Sequence, residues 1–184
     1  MRTSYTGVDL RETGAHGVSG VYEVVRALAT AVLIVTVAVV FLFRSATVQG
    51  SSMYPTLEDG DRLVLASTVF RYERGDIVVV HRAGKEPLVK RIIALGGDTL
   101  DIDFERGTVT VNGEVQNEPY IAAPTHLEYS DGPVFPFTVP EGKVFVMGDN
   151  RNDSLDSRSS MVGLIDQNDI LGTMLMDLNK TEAK

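Results

Sequence analysis

Seventeen consecutive residues, 27–43 (ALATAVLIVTVAVVFLF), carry no charge and stand between Arg26 and Arg44. Strands usually run to about 4–8 residues, so the β-branched content of this run does not make it a buried strand. Roughly 20 apolar residues cross a bilayer as a helix, and 17 lie at the short end of that range. Three readings fit: an uncleaved anchor over 26–44, a cleavable leader, and the core helix of a soluble domain. The anchor is favoured because the preceding region is long and of mixed charge, Arg44 follows directly, and no convincing small-x-small cleavage site comes after. Arginine hardly marks its orientation: residues 1–26 hold Arg2, Arg11 and Arg26 against Asp9, Glu12 and Glu23, with Arg44 beyond. Residues 1–25 read as an N-terminal tail, mobile over the Gly-, Ser- and Thr-containing first 20.

Residues 45–180 form the second part of a chain whose 184 residues suit one ordinary domain with an appendage. There is no cysteine, so disulfides and thiolate metal sites are excluded, while the compartment stays open. From Ser45 onward, 13 Lys and Arg face 22 Asp and Glu. A domain of that charge repels phosphate backbones, so nucleic acid is not an expected partner.

Short β-rich runs then alternate with Gly and Asp. Strands are predicted at 76–81 (DIVVVH), 88–95 (LVKRIIAL), 108–111, 143–147 (KVFVM) and 170–176 (ILGTMLM), with Asn112-Gly113 marking a hairpin. Residues 117–140 hold five prolines with little alternation and read as a long loop. No fixed-period repeat occurs. The fold class is mostly β: a bent antiparallel sheet or partly closed, barrel-like domain behind one N-terminal transmembrane helix.

Three segments carry chemistry. Gly50-Ser51-Ser52-Met53-Tyr54-Pro55 can present a hydroxyl and its own N–H from a turn, or it is merely the linker after the anchor. Lys90 lies in an apolar strand; alternation puts it on the face of Leu88 and Ile92, and Arg91 on that of Val89 and Ile93, so one cation must sit among apolar side chains. At its reference pKa roughly one lysine in 2,500 is neutral at pH 7, and burial raises that fraction. A desolvated lysine can therefore act as general base for a serine, which arginine cannot; an exposed lysine on an edge strand is the plain alternative. Residues 147–158 (MGDNRNDSLDSR) hold three aspartates, two arginines and two serines, suited to a hydrogen-bonded brace. A cation loop is the rival, but the EF-hand order is missing and the arginines supply counter-charge. His16, His81 and His126 have no nucleophile beside them in sequence, and there is no Gly-x-Ser-x-Gly elbow.

Together these segments, over about residues 48–172 and with the anchor before them, resemble the type I signal peptidases, serine proteases that remove leader peptides from exported proteins. Ser52-Met53-Tyr54-Pro55-Thr56-Leu57 resembles the family's nucleophile segment, Arg74-Gly75-Asp76-Ile77-Val78 a structural strand, and Lys90-Arg91 with Ile92-Ile93-Ala94-Leu95-Gly96-Gly97-Asp98 the base-bearing segment. Gly148-Asp149-Asn150-Arg151 with Ser154-x-Asp156-Ser157-Arg158 resembles the last box. The resemblance implies that Lys90, 38 residues beyond Ser52, takes its proton, and that Ser154 orients the lysine amine. It implies that Asp156, Arg158, Asp149 and Arg91 brace the site, and that the Ser52 N–H holds the oxyanion. Some members add a serine hydroxyl two residues before the nucleophile; Gly50 stands there, so the hole leans on main chain, water or another donor. Asn152-Asp153 reverses the more usual order, and 158–163 is about two residues longer than usual.

By the same resemblance the partners are signal peptides of exported preproteins and membrane lipid, with no cofactor and no metal. The peptide lies extended between the segments before Ser52 and before Lys90, with small pockets selecting an Ala-x-Ala-like site. The chain is placed in the plasma membrane as a single-pass protein, N-terminus cytoplasmic and catalytic domain extracytoplasmic. Rivals are a self-cleaving SOS-repressor-like serine–lysine protease, which carries a DNA-binding domain where this chain has its apolar run, and a catalytically dead tethered β module. If Ser52 is the nucleophile, Ser52→Ala abolishes peptide cleavage and Ser51→Ala reduces it mildly; a cleavage assay giving the opposite ranking identifies the other serine.

Overall fold

The computed structural model describes residues 11–67 and 72–181, in a helical unit, Met1–Phe41, and a β unit, Leu42–Lys184. In the first, α1 (Arg11–Leu42) carries an apolar stretch, Gly20–Leu42, of 23 residues. At about 1.5 Å per residue this reaches roughly 35 Å, enough to cross the ~30 Å hydrocarbon layer of a bilayer. Val32, Leu33, Ile34 and Val35 point in four directions around the helix, and each is more than 60% exposed. An apolar surface on every side is what a lipid-immersed helix presents.

Of the expected tail, residues 1–10 lie outside the described residues, and from Arg11 the chain is helical. The segment leading into the apolar run, Val21-Tyr22-Glu23-Val24-Val25-Arg26, contains no helix breaker, and Glu23 pairs with Arg26 one turn on at 3.3 Å. At the other end the helix stops at Leu42, and Phe43 opens the first strand.

The β unit comprises β1 (Phe43–Thr47), β2 (Arg62–Ala66), β3 (Ile77–Arg82), β4 (Lys85–Leu95), β5 (Thr99–Asp103), β6 (Thr108–Val111), β7 (Glu114–Val115), β8 (Phe137–Thr138), β9 (Lys143–Met147), β10 (Ile165–Asp166), β11 (Ile170–Asp177) and the short α2 (Leu178–Thr181). Seven strands form a sheet in the order β1-β2-β11-β3-β4-β9-β10, and four a smaller one, β7-β6-β5-β8, with all neighbours antiparallel. Register shifts at Val80/Arg82, Ile92/Ala94, Ile170/Gly172 and Met174/Met176 bend the larger sheet. It stays open, with β1 and β10 as its edges, so the expected bent sheet is found and a closed barrel is not.

Strand β3 explains why its sequence reads as continuously apolar. Ile77 and Val79 enter one cluster with Val48, Met53, Leu57, Leu63 and Leu65, while Val78 and Val80 enter another with Ile92, Val144, Val146, Ile165 and Ile170. Both faces of the strand are covered. A third cluster joins β4 and β9 to the smaller sheet through Phe145, ringed by Phe135 and Phe137 at 6.1 and 5.9 Å between centroids. The predicted strands match β3, β4, β6, β9 and β11 to within a few residues, and Asn112-Gly113 closes the β6–β7 hairpin. Of 117–140, only Phe137–Thr138 is strand.

One register detail positions the site. β9 pairs with β4 from Arg91 to Leu95. Among the described residues, the half of β4 that precedes Lys90 therefore has β3 on one side and an open edge on the other.

Candidate active site

Ser52 sits in a tight turn after β1. Tyr54 N–H donates to Ser51 O at 3.0 Å and Leu57 N–H to Met53 O at 2.9 Å. Met53 and Leu57, both fully buried, pin the turn to the sheet. The loop is closed at its base by Val48 N–H to Asp61 O (2.8 Å) and Gly60 N–H to Val48 O (3.0 Å). Gly50 makes the bend with φ +81, a left-handed conformation that side chains disfavour, and its N–H donates to Asp59 Oδ1 at 2.7 Å. The neighbouring Ser51 hydroxyl is engaged with Asp153 Oδ2 at 2.9 Å.

Lys90 reaches this turn from β4. Its Nζ donates to Ser52 Oγ at 2.6 Å, and the residue is 2% exposed. Burial lowers its pKa from 10.5 to about 8; Arg82 and Arg158 push in the same direction, and Asp156 and Asp149 oppose. Strand alternation required one buried cation at this point. The structure buries two, because Arg91 is 9% exposed beneath other cover. Its guanidinium grips Asp149 through Nε (2.8 Å) and Nη2 (2.6 Å), donates to Gly75 O at 2.6 Å, and lies 4.0 Å from the Tyr120 ring centroid.

The polar box after β9 is fully folded inward. Asp156 accepts from Arg158 Nε (2.8 Å), Arg158 Nη2 (2.9 Å), the Ser154 hydroxyl (2.7 Å) and Gly148 N–H (3.0 Å). The Ser154 hydroxyl, expected to orient the lysine amine, donates to Asp156, which lies two residues away and is buried with it. Asp149 also accepts from Thr56 Oγ1 at 2.5 Å, which ties the box to the nucleophile loop. Gly148 permits this closeness: a Cβ there would collide with Ser154 Oγ and the Ser52 carbonyl oxygen. The oxygens weighed as cation ligands are spent on these contacts, Asp153 on Ser51 and Asp149 and Asp156 on arginines.

The loop expected over 117–140 proves to be a strap over the arginines. Glu118 takes Arg151 through two bonds (2.9 and 2.5 Å), and Thr125 Oγ1 accepts a further Arg151 proton at 2.9 Å. Tyr120 covers Arg91, and Leu127 O accepts from Arg158 Nη1 at 2.9 Å. Tyr129 donates to Ser154 O at 2.9 Å. Burial, helped by Glu118, pushes the Tyr120 phenol up to about 12, so it stays protonated beside the guanidinium. Sequence reasoning assigned no role to Thr56, Glu118, Tyr120 or Tyr129. The available signal was Glu118-Pro119-Tyr120 itself, a carboxylate and an aromatic ring in a polar loop, in a chain with arginines needing partners. Of the histidines, His16 lies within α1, His81 is exposed at the end of β3, and His126 bonds Phe104 O at 2.9 Å.

Beside the Ser52–Lys90 pair opens a cleft of about 360 Å³, walled by β1 and Gln49 on one side and by residues 86–90 of β4 on the other. Ala46, Leu65, Val79, Leu88 and Leu171 give it an apolar lining. An extended peptide could add backbone hydrogen bonds along such a wall and set alternate side chains into the lining.

The buried amine also makes a stability prediction. Lys90 has a lower pKa folded than unfolded, so below pH 8 the fold bears the full cost of burying its charge, roughly 3 kcal/mol for a change from 10.5 to about 8. Lys90→Met should be more stable than the parent by about 1–3 kcal/mol at pH 7 in denaturant unfolding. That margin should shrink as pH rises from 8 toward 10.5; a margin independent of pH would contradict the buried charge.

Residues 21–178 match the family described as signal peptidase, peptidase S26. A signal peptidase I of Bacillus licheniformis is 41% identical over 84% of this chain and 87% of its own length. Signal peptidase I T of Bacillus subtilis is 41% identical over 80% of each chain. A crystal structure of a signal peptidase I from Enterococcus faecalis is 30% identical, covering 56% of this chain and 97% of that one, with a TM-score of 0.45. With its apolar helix, its open antiparallel sheet and a match that runs over most of its length, the chain belongs to the signal peptidase family.

Proposed function

We propose that this chain is a membrane-anchored serine endopeptidase that removes signal peptides from exported preproteins, with Ser52 as nucleophile and Lys90 as general base. The observation that carries the reading is the 2.6 Å contact between Lys90 Nζ and Ser52 Oγ at a 2%-exposed lysine. The neutral amine accepts the Ser52 proton as Oγ attacks the scissile carbonyl carbon. The tetrahedral oxyanion forms against the Ser52 N–H. When the C–N bond breaks, the Lys90 ammonium returns its proton to the leaving amine, and an acyl-enzyme remains on Ser52. Lys90 then deprotonates water, whose attack releases the signal peptide and restores the hydroxyl. Asp149 with Arg91, and Asp156 with Arg158 and Ser154, hold the two walls of this site in register.

Substrate choice follows from the cleft. A chain entering between β1 and residues 86–90 runs as a strand, so side chains at alternate positions face the apolar lining. Small residues in those places, an Ala-x-Ala pattern before the cut, fit a lining of Ala46, Leu65, Val79 and Leu171 close to the dyad. α1 crosses the membrane once, its N-terminal end cytoplasmic and the β unit on the outer side, where translocated leader peptides end.

Two outcomes are expected. Detergent-solubilised protein should cut a preprotein with an Ala-x-Ala site once, after the last alanine, by mass spectrometry, and Lys90→Ala should cut nothing; an active Lys90→Ala chain rules out the dyad. The pH profile of kcat/KM should rise about tenfold per pH unit below 8 and level off above it, because the base must be neutral. At pH 7 about a tenth of Lys90 is neutral with a pKa near 8, several hundredfold more than at the ordinary lysine value. A rise centred near pH 10, or none, would show that the amine is not the titrating base.

A further inference from the structure

Asn150 spans the nucleophile on both sides. Its backbone N–H donates to Ser52 O at 3.0 Å, and its side-chain Nδ2 donates to Ser51 O at 3.2 Å. The second contact concerns the peptide group whose nitrogen is that of Ser52. A peptide is planar and its C=O and N–H point in opposite directions, so whatever holds the Ser51 carbonyl also aims the Ser52 N–H. Among the described residues that N–H has no acceptor, whereas the carbonyl behind it has two donors, Asn150 Nδ2 and Tyr54 N–H at 3.0 Å. Bonds accepted by a carbonyl also polarise its peptide and strengthen the N–H as a donor.

We propose that Asn150 is a positioning residue of the oxyanion hole, acting through the Ser51–Ser52 peptide bond. The inference rests on Ser52 being the nucleophile and deepens that reading. Asn150 touches no reacting atom. It is held in turn by the box around it: Asp153 N–H donates to Asn150 O at 2.9 Å, and the Asp153 carboxylate takes the Ser51 hydroxyl at 2.9 Å. The clamp therefore grips the Ser51 residue by side chain and by carbonyl at once. With Gly50 offering no hydroxyl, the aim of one main-chain N–H matters more than it would in a hole with two strong donors.

The test uses the full chain in detergent with Asn150→Ala and the isosteric Asn150→Asp, which retains the backbone donor but sets a carboxylate against the Ser51 carbonyl. Direct loss of an oxyanion donor costs about 100- to 1,000-fold in kcat, so losing an aiming contact should cost roughly tenfold in Asn150→Ala and more in Asn150→Asp. KM should not move in either variant, and the pH midpoint should not move in Asn150→Ala. Affinity for a peptidyl boronate, which forms a tetrahedral adduct on Ser52, should fall by the same factor as kcat/KM. Affinity for an uncleavable peptide with proline after the cutting site should be unchanged. The proposal is overturned if kcat is unaffected, if boronate and uncleavable peptide weaken equally, or if the pH midpoint shifts in Asn150→Ala. A Lys90→Ala chain that still cleaves would instead overturn the dyad itself, so the two failures are told apart.

Discussion

Everything around Ser52 follows from the burial of one amine. A lysine withdrawn from water loses affinity for its proton, and Lys90 is held near pH 8 by that loss, with the opposing charges around it shifting the value less than burial does. The contact is expensive to the fold and useful only to chemistry. It also explains why so much of the β unit is devoted to rigidity at this point. An amine that is neutral only part of the time can accept a proton from the neighbouring hydroxyl only if that hydroxyl is already in place.

That rigidity comes from ion pairs placed beside the dyad. Arg91 with Asp149, Arg158 with Asp156 and Arg151 with Glu118 are each buried and each closed by two nitrogens of the guanidinium. Buried pairs of this kind seldom add net stability, since desolvation consumes most of the attraction. Their planar, two-point geometry fixes direction instead. Asp149 also holds the Thr56 side chain of the Ser52 loop, and Asp156 holds Ser154 and the N–H of Gly148, which packs against the Ser52 carbonyl, so two of the three pairs reach the surroundings of Ser52.

Much of this was legible in the order of residues. The apolar run, the strands β3, β4, β6, β9 and β11, and the three polar segments stand out because periodicity and turn chemistry are local. β1 and β2 were not legible, since each spans five residues whose pairing partners lie elsewhere. The strap stayed hidden for a related reason. Its residues have almost no regular structure of their own, and their meaning comes from arginines 29 to 33 positions away. Ser154 shows what sequence order could not supply: its hydroxyl donates to Asp156, two residues on, a contact that only coordinates reveal.

The place of β11 has a consequence for synthesis. It is the last strand in chain order among the described residues, yet it lies inside the larger sheet, between β2 and β3. Until it emerges, the β1–β2 ribbon that leads into the Ser52 loop has no strand pairing that connects it to β3 and β4. A ribosome that stalls between residues 90 and 170 releases a chain that holds both Ser52 and Lys90 but lacks the strand that joins their parts of the sheet. In a protein-cutting chain, this strand order makes completion of the larger sheet a late event of synthesis.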